Sequence, residues 1–253
     1  MMRYGKILLS VVITLLPSAV ISQQFSVAPL GMSDRENDQL YGPVVSVDET
    51  TWRVDYSRRT VVKGEFVMSY LTTYRSDGGV ESQINKDNQG MELTKTVHQY
   101  EENGDKRVST TYSSDGQRTL QMLYLYTSDG LCASIRLTDA LAVTISTSEV
   151  SHGQNWSGVD EVFADGEVRA TVYKYNDKGR LTEISVKSNN EQTRTEMRLD
   201  SNGHPVKQTV TSTTQKSTYT YEYEVDEHRN WVRRIKYEKG TPVMLTTRII
   251  KYE

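Results

Sequence analysis

One stretch of this sequence reads Tyr219-Thr220-Tyr221-Glu222-Tyr223-Glu224-Val225. Successive side chains of a β-strand point to opposite faces of the sheet, so a period of two indicates a strand. Here the three tyrosines and the valine share one face, while the threonine and the two glutamates share the other. Similar alternation continues from Gly42-Pro43 to the C-terminal end. The pattern therefore predicts a chain that is built from strands.

Turn signals separate these strands at regular intervals. An aromatic residue is followed within a few positions by Asp-Gly, Asn-Gly or Lys-Gly, and the glycine supplies the positive φ that a tight hairpin turn requires. Tyr100, Tyr112 and Tyr126 lie 12 and 14 residues apart, which leaves room for one strand and one turn in each step. The glycines in these signals are Gly78, Gly104, Gly116, Gly130, Gly166, Gly179 and Gly240.

Wider gaps between aromatic residues contain weaker turn signals, at residues 188–190 and 213–216. Counting them gives about 14 to 16 strands of ordinary length. Residues 137–150 come closest to an amphipathic helix, but their β-branched side chains favour a strand. We therefore predict an all-β fold, a long antiparallel meander of stacked hairpins that forms a twisted or rolled sheet.

The first 22 residues have the features of a signal peptide. Arg3 and Lys6 precede an apolar run at residues 7–16, and Pro17 interrupts that run. The run is shorter than the roughly 20 residues that span a membrane, and small residues favour cleavage after Ser22. We expect an exported protein without a transmembrane helix after cleavage, located in the periplasm, at the outer membrane or outside the cell.

The remaining chain divides into a short leader and one domain. Residues 23–40 are polar and show neither a helical nor a strand period, which predicts a flexible leader. Residues 41–253 form the predicted β domain. Cys132 is the single cysteine of the chain, so no disulfide can form within it. Its alternation with polar neighbours favours an inert, packed thiol.

Composition excludes several classes of protein. With 30 Lys and Arg against 33 Asp and Glu, the formal net charge is −3, and no basic excess indicates a nucleic-acid partner. The hydrophobic fraction of 36% in 253 residues can form a core, so the chain is not disordered throughout. The 16 tyrosines against three phenylalanines are typical of half-exposed strand positions.

One unit of the sequence resembles a known repeat. Residues 173–183, Tyr-Lys-Tyr-Asn-Asp-Lys-Gly-Arg-Leu-Thr-Glu, are similar to the Tyr-Asp unit of the Rhs/YD-repeat proteins. Residues 42–51 and 221–235 resemble the start and end of short exported YD-repeat-like proteins of Bacteroidetes. The resemblance runs with gaps from about residue 41 to the end, although Arg229 stands where the family has glycine and residues 131–162 lack a unit.

What the resemblance implies is a twisted sheet of stacked hairpins, which in large family members wraps around a cargo. This chain has too few units to enclose a protein, and it has neither a self-cleaving core nor a toxin domain. We therefore expect this chain to share the family's sheet but not its delivery function.

The sequence contains no recognisable catalytic or metal-binding motif. Its histidines lie in different predicted units without metal-ligand spacing, so we predict no metal site and no cofactor. A nucleophile elbow, a phosphate-binding glycine loop and a Cys-His arrangement are all missing. We therefore predict a protein that is not an enzyme. The histidines are His98, His152, His204 and His228.

Two stretches are candidate binding surfaces. The first is the polar stretch at residues 151–161, which we interpret as a loop, where His152, Trp156 and Asp160 could form a patch that stacks on a carbohydrate or a peptide. Its simpler interpretation is a long connection whose tryptophan covers a sheet edge.

The second candidate is an aromatic face that includes Tyr221, Tyr223 and Trp231. Flat rings with a polar edge suit contact with sugars or peptides. The same residues are equally well explained as cross-strand pairs that stabilise the sheet.

Three functional hypotheses remain. The leading one is an exported, non-enzymatic β-repeat protein with a binding or structural role at the cell envelope, whose partner is an unknown envelope protein or a carbohydrate and not a nucleic acid. The second is a hydrolase whose site is assembled from distant strands. The third is an outer-membrane β-barrel, although strands such as residues 192–198 are polar on both faces and offer no continuous lipid-facing stripe.

Overall fold

The structure is a computed structural model that describes residues 33–55 and 60–253. The predicted signal peptide and residues 23–32 of the predicted leader lie outside the described residues. A short helix, α1 (Asp34–Asn37), precedes sixteen strands. In chain order they are β1 (Val44–Asp55), β2 (Val62–Tyr74), β3 (Val80–Lys86), β4 (Glu92–Tyr100), β5 (Lys106–Ser113), β6 (Arg118–Tyr126), β7 (Cys132–Asp139), β8 (Thr144–Gly153), β9 (Trp156–Phe163), β10 (Val168–Tyr175), β11 (Leu181–Ser188), β12 (Gln192–Leu199), β13 (Pro205–Ser212), β14 (Lys216–Val225), β15 (Trp231–Glu238) and β16 (Thr241–Tyr252).

Every strand pairs antiparallel with the next one along the chain, and β16 pairs with β1, so the sheet is a closed barrel. The predicted all-β antiparallel meander is confirmed, and the strand count agrees with the prediction. The meander closes into a barrel, where we expected a twisted or rolled sheet of stacked hairpins. An open sheet would leave two edge strands with unpaired backbone groups, and pairing β1 with β16 removes both edges.

The predicted glycine turns are confirmed. All seven glycines named above lie in turns with φ between 72° and 89°. The two weaker signals are also turns, because β11 ends at Ser188 before β12 begins at Gln192, and β13 ends at Ser212 before β14 begins at Lys216. Residues 137–150 contribute to β7 and β8, as their β-branched side chains predicted.

The two ends of the barrel differ. The turns that follow even-numbered strands lie at the end where β1 begins and β16 finishes. Residues 33–41 lie at this end, and we call them the strap and this end the strap end. The turns that follow odd-numbered strands lie at the opposite end, which we call the far end.

The strap is ordered, although residues 33–40 belong to the segment for which we expected flexibility. Ser33 and Glu36 form a capping box, in which the Glu36 N–H donates to the Ser33 hydroxyl and the Ser33 N–H donates to the Glu36 carboxylate at 2.8 Å. A Ser-x-x-Glu sequence is a signature of a helix start, so this helix was readable from the sequence. Docking of the strap on the barrel was not readable, because it depends on turns that are distant in sequence.

Burial along β14 distinguishes the inward face of the wall from the outward face. In β14, Tyr219 and Tyr221 are buried, whereas Thr220, Glu222 and Glu224 are exposed. The buried set faces the lumen, and side chains in register with it on neighbouring strands share that inward face. The tyrosines that first indicated a strand therefore line the inside of the barrel.

The outward face carries ion pairs. Glu183 on β11 pairs with Lys174 on β10 at 3.0 Å and with Arg194 on β12 at 2.7 Å. On the other side of the barrel, Lys86 pairs with Asp48 at 2.7 Å. Charged groups thus occupy the outward face within the strands and not only in the turns.

The seam between β1 and β16 is bonded on its inward face. Arg248 pairs with Glu49 at 2.7 Å, and the hydroxyls of Thr51 and Thr246 lie 3.1 Å apart. On the outward face, Trp52 lies opposite Leu245, which lies opposite Ile235 in register. Leu245 and Ile235 are both buried, so an apolar row covers the seam from outside.

We expect Leu245→Ala to lower the free energy of unfolding by about 2–4 kcal/mol, because the lost side chain leaves a cavity at the seam. Leu245 is 4% exposed. Ile249→Ala is the matched control, since Ile249 lies on the same strand and the same face but is 67% exposed. The control should change stability by less than about 0.5 kcal/mol. Urea-induced unfolding followed by circular dichroism measures both, and equal effects would contradict a packed seam.

Candidate functional site

The first predicted surface is not a loop. β8 ends at Gly153 and β9 begins at Trp156, so residues 151–161 form a tight hairpin, and the interpretation as a long polar loop is wrong. His152 lies on the inward face, where its Nε2 is 2.9 Å from the Cys132 carbonyl oxygen. Trp156 and Asp160 lie on the outward face, and both are exposed. The structure therefore does not bring His152 together with the other two residues.

The second predicted surface does come together, on the inward face. The ring centroids of Tyr221 and Tyr223 are 6.4 Å apart, and those of Tyr223 and Trp231 are 6.1 Å apart. His204, which we did not single out as a binding residue, lies 5.2 Å from the ring of Tyr223. Trp231 is 4% exposed and Tyr221 is also buried, so these rings pack against each other inside the barrel.

Two arginines join the aromatic cluster. The guanidinium of Arg248 lies 3.6 Å from the Trp231 ring centroid, and that of Arg234 lies 4.6 Å from it. Cation–π contacts of this kind are favourable, more so away from water. No local sequence signal indicated these arginines, because β15 and β16 form a hairpin but meet β1, which carries Glu49, only through closure of the barrel.

Arg248 also holds the carboxylate of Glu49. Burial opposes ionisation of Glu49, but Arg248 and Arg234 outweigh it and hold the pKa of Glu49 below its usual value. Removing either arginine would therefore leave a carboxylate in a site where it is poorly solvated.

Several buried nitrogens of this cluster lack a hydrogen-bond partner among the residues that the structure describes. They are Nη1 of Arg248 and both ring nitrogens of His204, a side chain that is 1% exposed. Nδ1 of His204 does lie 3.7 Å from the Asp200 carboxylate, beyond hydrogen-bond distance. Burial lowers the pKa of His204, which favours the neutral ring. Unpaired buried polar groups are costly, and in a native structure they point to strain or to a function.

The strap is anchored on one side of the barrel by Asp34. Its carboxylate accepts a hydrogen bond from the Val80 N–H at 2.9 Å and from the Tyr100 hydroxyl at 3.2 Å, and it lies 3.2 Å from the Lys106 ammonium. Burial opposes ionisation of Asp34, but Lys106 and the Val80 N–H hold its pKa below the usual value.

The strap is anchored on the other side by three turns of the strap end. Arg180 donates to the Glu36 carbonyl at 3.0 Å, and the Tyr41 hydroxyl donates to the Asn202 carbonyl at 2.7 Å. Asn230, which is 0% exposed, bonds both the N–H and the carbonyl of Tyr41, at 2.7 and 2.8 Å. The strap therefore crosses the end of the barrel from β3–β5 to the turns after β10, β12 and β14.

Asp38 of the strap reaches the same cluster. Its carboxylate accepts a hydrogen bond from the Tyr74 hydroxyl at 2.6 Å. Burial raises the pKa of Asp38 to about 6, although the Tyr74 hydrogen bond and the charge of Arg248 oppose that rise. We therefore define the candidate site as Tyr74, Trp231, Arg234 and Arg248, together with Glu49 and His204. It lies inside the barrel at the strap end.

Metal-binding clusters, membrane-spanning helices and the single cysteine give no further candidate site. Within the described ranges, no group of three or more His, Cys, Asp or Glu side chains could hold a metal ion. No helix of the described chain is long and apolar enough to cross a membrane. Burial raises the pKa of Cys132 to about 11, so the thiol is protonated at neutral pH and is a poor nucleophile.

A polar depression of about 360 Å³ lies at the far end, between the turns after β9 and β11. It contains none of the predicted site residues. Its lining is Asp165, Gly166, Glu167, Ser188, Asn189 and Asn190.

No protein-family model and no curated protein matches this chain. Among solved structures it is similar to a porin-like protein from Bacteroides uniformis ATCC 8492, with a TM-score of 0.57 and 13% identity over 83% of this chain and 99% of that one. At this identity the likeness concerns the fold alone. TcdB2-TccC3-TEV has a TM-score of 0.29 and 16% identity over 73% of this chain and 12% of that one, a score too low to indicate a common fold. The YD-repeat resemblance stays a prediction.

We expect Asn230→Ala to release the strap, because it leaves the N–H and the carbonyl of Tyr41 without partners. The lost bonds should speed hydrogen exchange of the strap amides by at least about tenfold, measured by mass spectrometry. Asn103→Ala is the control, because Asn103 lies exposed in the turn after β4 at the same end. Unchanged exchange in Asn230→Ala would mean that the strap is held elsewhere.

Proposed function

We propose that this chain is an exported, non-enzymatic closed β-barrel of the cell envelope, which stands in water and binds a ligand at the strap end of its lumen. The observation that carries the aqueous part of this proposal is the ion-paired outward face. A barrel in lipid needs an outward apolar band, and each Arg or Lys at the middle of a bilayer costs about 2–4 kcal/mol.

The arrangement of Lys174, Glu183 and Arg194 illustrates the argument. These three side chains cross three adjacent strands on the outward face, where their charges pair with each other. Lipid would remove the water that solvates their outer edges, whereas an aqueous wall keeps it. Their placement supports a barrel with water on both sides.

The strap supports a role in binding over a role in conduction. Because the strap crosses one end of the barrel, we expect a molecule to enter the lumen from the far end more readily than to pass through it. The aromatic and arginine side chains of the candidate site are residue types that are enriched where proteins recognise partners. A buried cluster with unpaired nitrogens suits a ligand better than it suits stability alone.

An outer-membrane barrel is the second candidate. The closed ring of strands and the likeness to a porin-like protein support it more directly than they support the exported β-repeat protein of our leading sequence hypothesis. In that case the strap would act as a plug, as interior segments do in some membrane barrels. The hydrolase hypothesis stays a prediction without a structural argument in its favour.

Cell fractionation separates the two candidates. The exported protein is extracted with alkaline carbonate and centrifuged, and the purified protein is then added to a planar bilayer. We expect it in the supernatant, stable without detergent and without channel activity, because its outward charges stay solvated. Recovery in the membrane pellet together with ion conductance would support the outer-membrane candidate and overturn the aqueous one.

A further inference from the structure

The indole of Trp156 lies along the outward face of the barrel wall. Trp156 is opposite Gly153 of β8 in register, and Gly158 is two residues further along β9 on the same face. A Cβ atom added to Gly153 would meet the indole Nε1 at 2.0 Å and Cε2 at 2.5 Å, and one added to Gly158 would meet Cζ3 at 3.2 Å. Opposite edges of the ring thus both approach the wall, in the space that side chains at these two positions would need.

The other side of the indole faces away from the barrel. Trp156 is 42% exposed, and within the described ranges its ring has no aromatic or cation contact and its N–H has no hydrogen-bond partner. A single exposed apolar side chain is ordinary on a protein surface. What distinguishes Trp156 is that two glycines let its ring lie along the wall, with one ring face and one donor open to solvent.

Polar side chains surround this ring. Lys174 lies opposite Trp156 on β10, while Ser151 on β8 and Asp160 on β9 lie further along the same outward face, and all three are exposed. The apolar neighbour Val172 on β10 is half-buried. An ammonium donates hydrogen bonds, a carboxylate accepts them and a hydroxyl does both. The surface therefore offers one exposed apolar ring with hydrogen-bonding groups around it.

This pattern matches the size and chemistry of a sugar better than those of a protein partner. A stable protein interface buries about 800 Å² on each partner, which is far more than one ring provides. A pyranose with equatorial hydroxyls has axial C–H groups on its two faces and hydroxyls around its edge. These C–H groups carry partial positive charge, which the negative face of an indole attracts. The hydroxyls then reach the polar side chains beside the ring.

We propose that Trp156 is a stacking platform for a pyranose ring of a carbohydrate, with Lys174 and Ser151 as hydrogen-bonding partners of the sugar hydroxyls. Lys174 pairs with Glu183 and keeps further donors for a ligand, because an ammonium group has three. The platform lies outside the barrel, so it is separate from the lumenal site and does not depend on it.

The test uses the full chain, with cellotetraose as the probe. This oligosaccharide is uncharged, and the ring hydroxyls of its glucopyranose units are equatorial. Saturation-transfer difference NMR identifies the sugar protons that contact the protein, and isothermal titration calorimetry gives the dissociation constant. We expect the unaltered protein to bind cellotetraose and to transfer saturation mainly to the axial protons of the sugar rings.

Removing the ring should remove the binding. We expect Trp156→Ala to weaken cellotetraose binding by at least about tenfold, in line with the loss of one aromatic stacking partner. Val162→Ala is the matched control, because Val162 lies on the same strand and the same face, is 51% exposed, and stands near the far end. This control should bind cellotetraose as the unaltered protein does.

A second variant tests the orientation of the ring. Gly153→Ala keeps the tryptophan but places a Cβ atom where the indole lies, so the ring must leave the wall. The φ of Gly153 is not positive, so the backbone accepts alanine. We expect this variant to lose cellotetraose binding as Trp156→Ala does, and circular dichroism checks that each variant is folded.

Three results would overturn the proposal. They are no binding of cellotetraose by the unaltered protein, a loss in Trp156→Ala no larger than in Val162→Ala, and undiminished binding by folded Gly153→Ala. Each of them is independent of the fractionation experiment and of the lumenal site, because the titration reports on an outward surface.

Discussion

The pairing of β1 with β16 is the contact on which this barrel depends. The other strand pairs are hairpins between neighbours in sequence, and an open sheet could form all of them. Such a sheet would end in two strands with unpaired backbone groups, which template further pairing. The register from Val44 opposite Tyr252 to Arg53 opposite Met244 satisfies both edges within one molecule.

Closure also creates the site. Trp231 and Arg248 come from the β15–β16 hairpin, and Glu49 on β1 meets them only because the first strand returns to the last. Burying a charged pair costs solvation, which attraction and further hydrogen bonds must offset. Here Arg248 pairs with Glu49 and lies on the ring of Trp231, yet one of its nitrogens stays unpaired. The strap then crosses the end of the barrel where this cluster lies.

The wall of the barrel has polar groups on both faces, and these groups bear on the barrel's surroundings in a way that the fold alone does not. Its ring of strands is similar to that of a porin-like protein, but the fold does not set what surrounds it. We propose that water surrounds this wall, because lipid excludes outward groups such as Glu183 and Arg194 that water solvates. Tyrosine suits the inward face of such a wall, since its ring packs while its hydroxyl reaches a polar partner, as Tyr223 reaches the Pro205 carbonyl.

The sequence by itself determined the local structure. Alternation at residues 219–225 and the glycine turns follow from backbone geometry, which acts over a few residues, and the Ser33 and Glu36 capping box is readable in the same way. Only the tertiary structure decided that the sheet closes, that the tyrosine face points inward, and that His152 lies on the opposite face from Trp156 and Asp160. Alternation with a period of two residues indicates which side chains share a face of the sheet. It does not indicate which of the two faces surrounds the lumen. That choice depends on contacts such as Thr51 with Thr246, which are 195 residues apart and leave no local pattern in the chain.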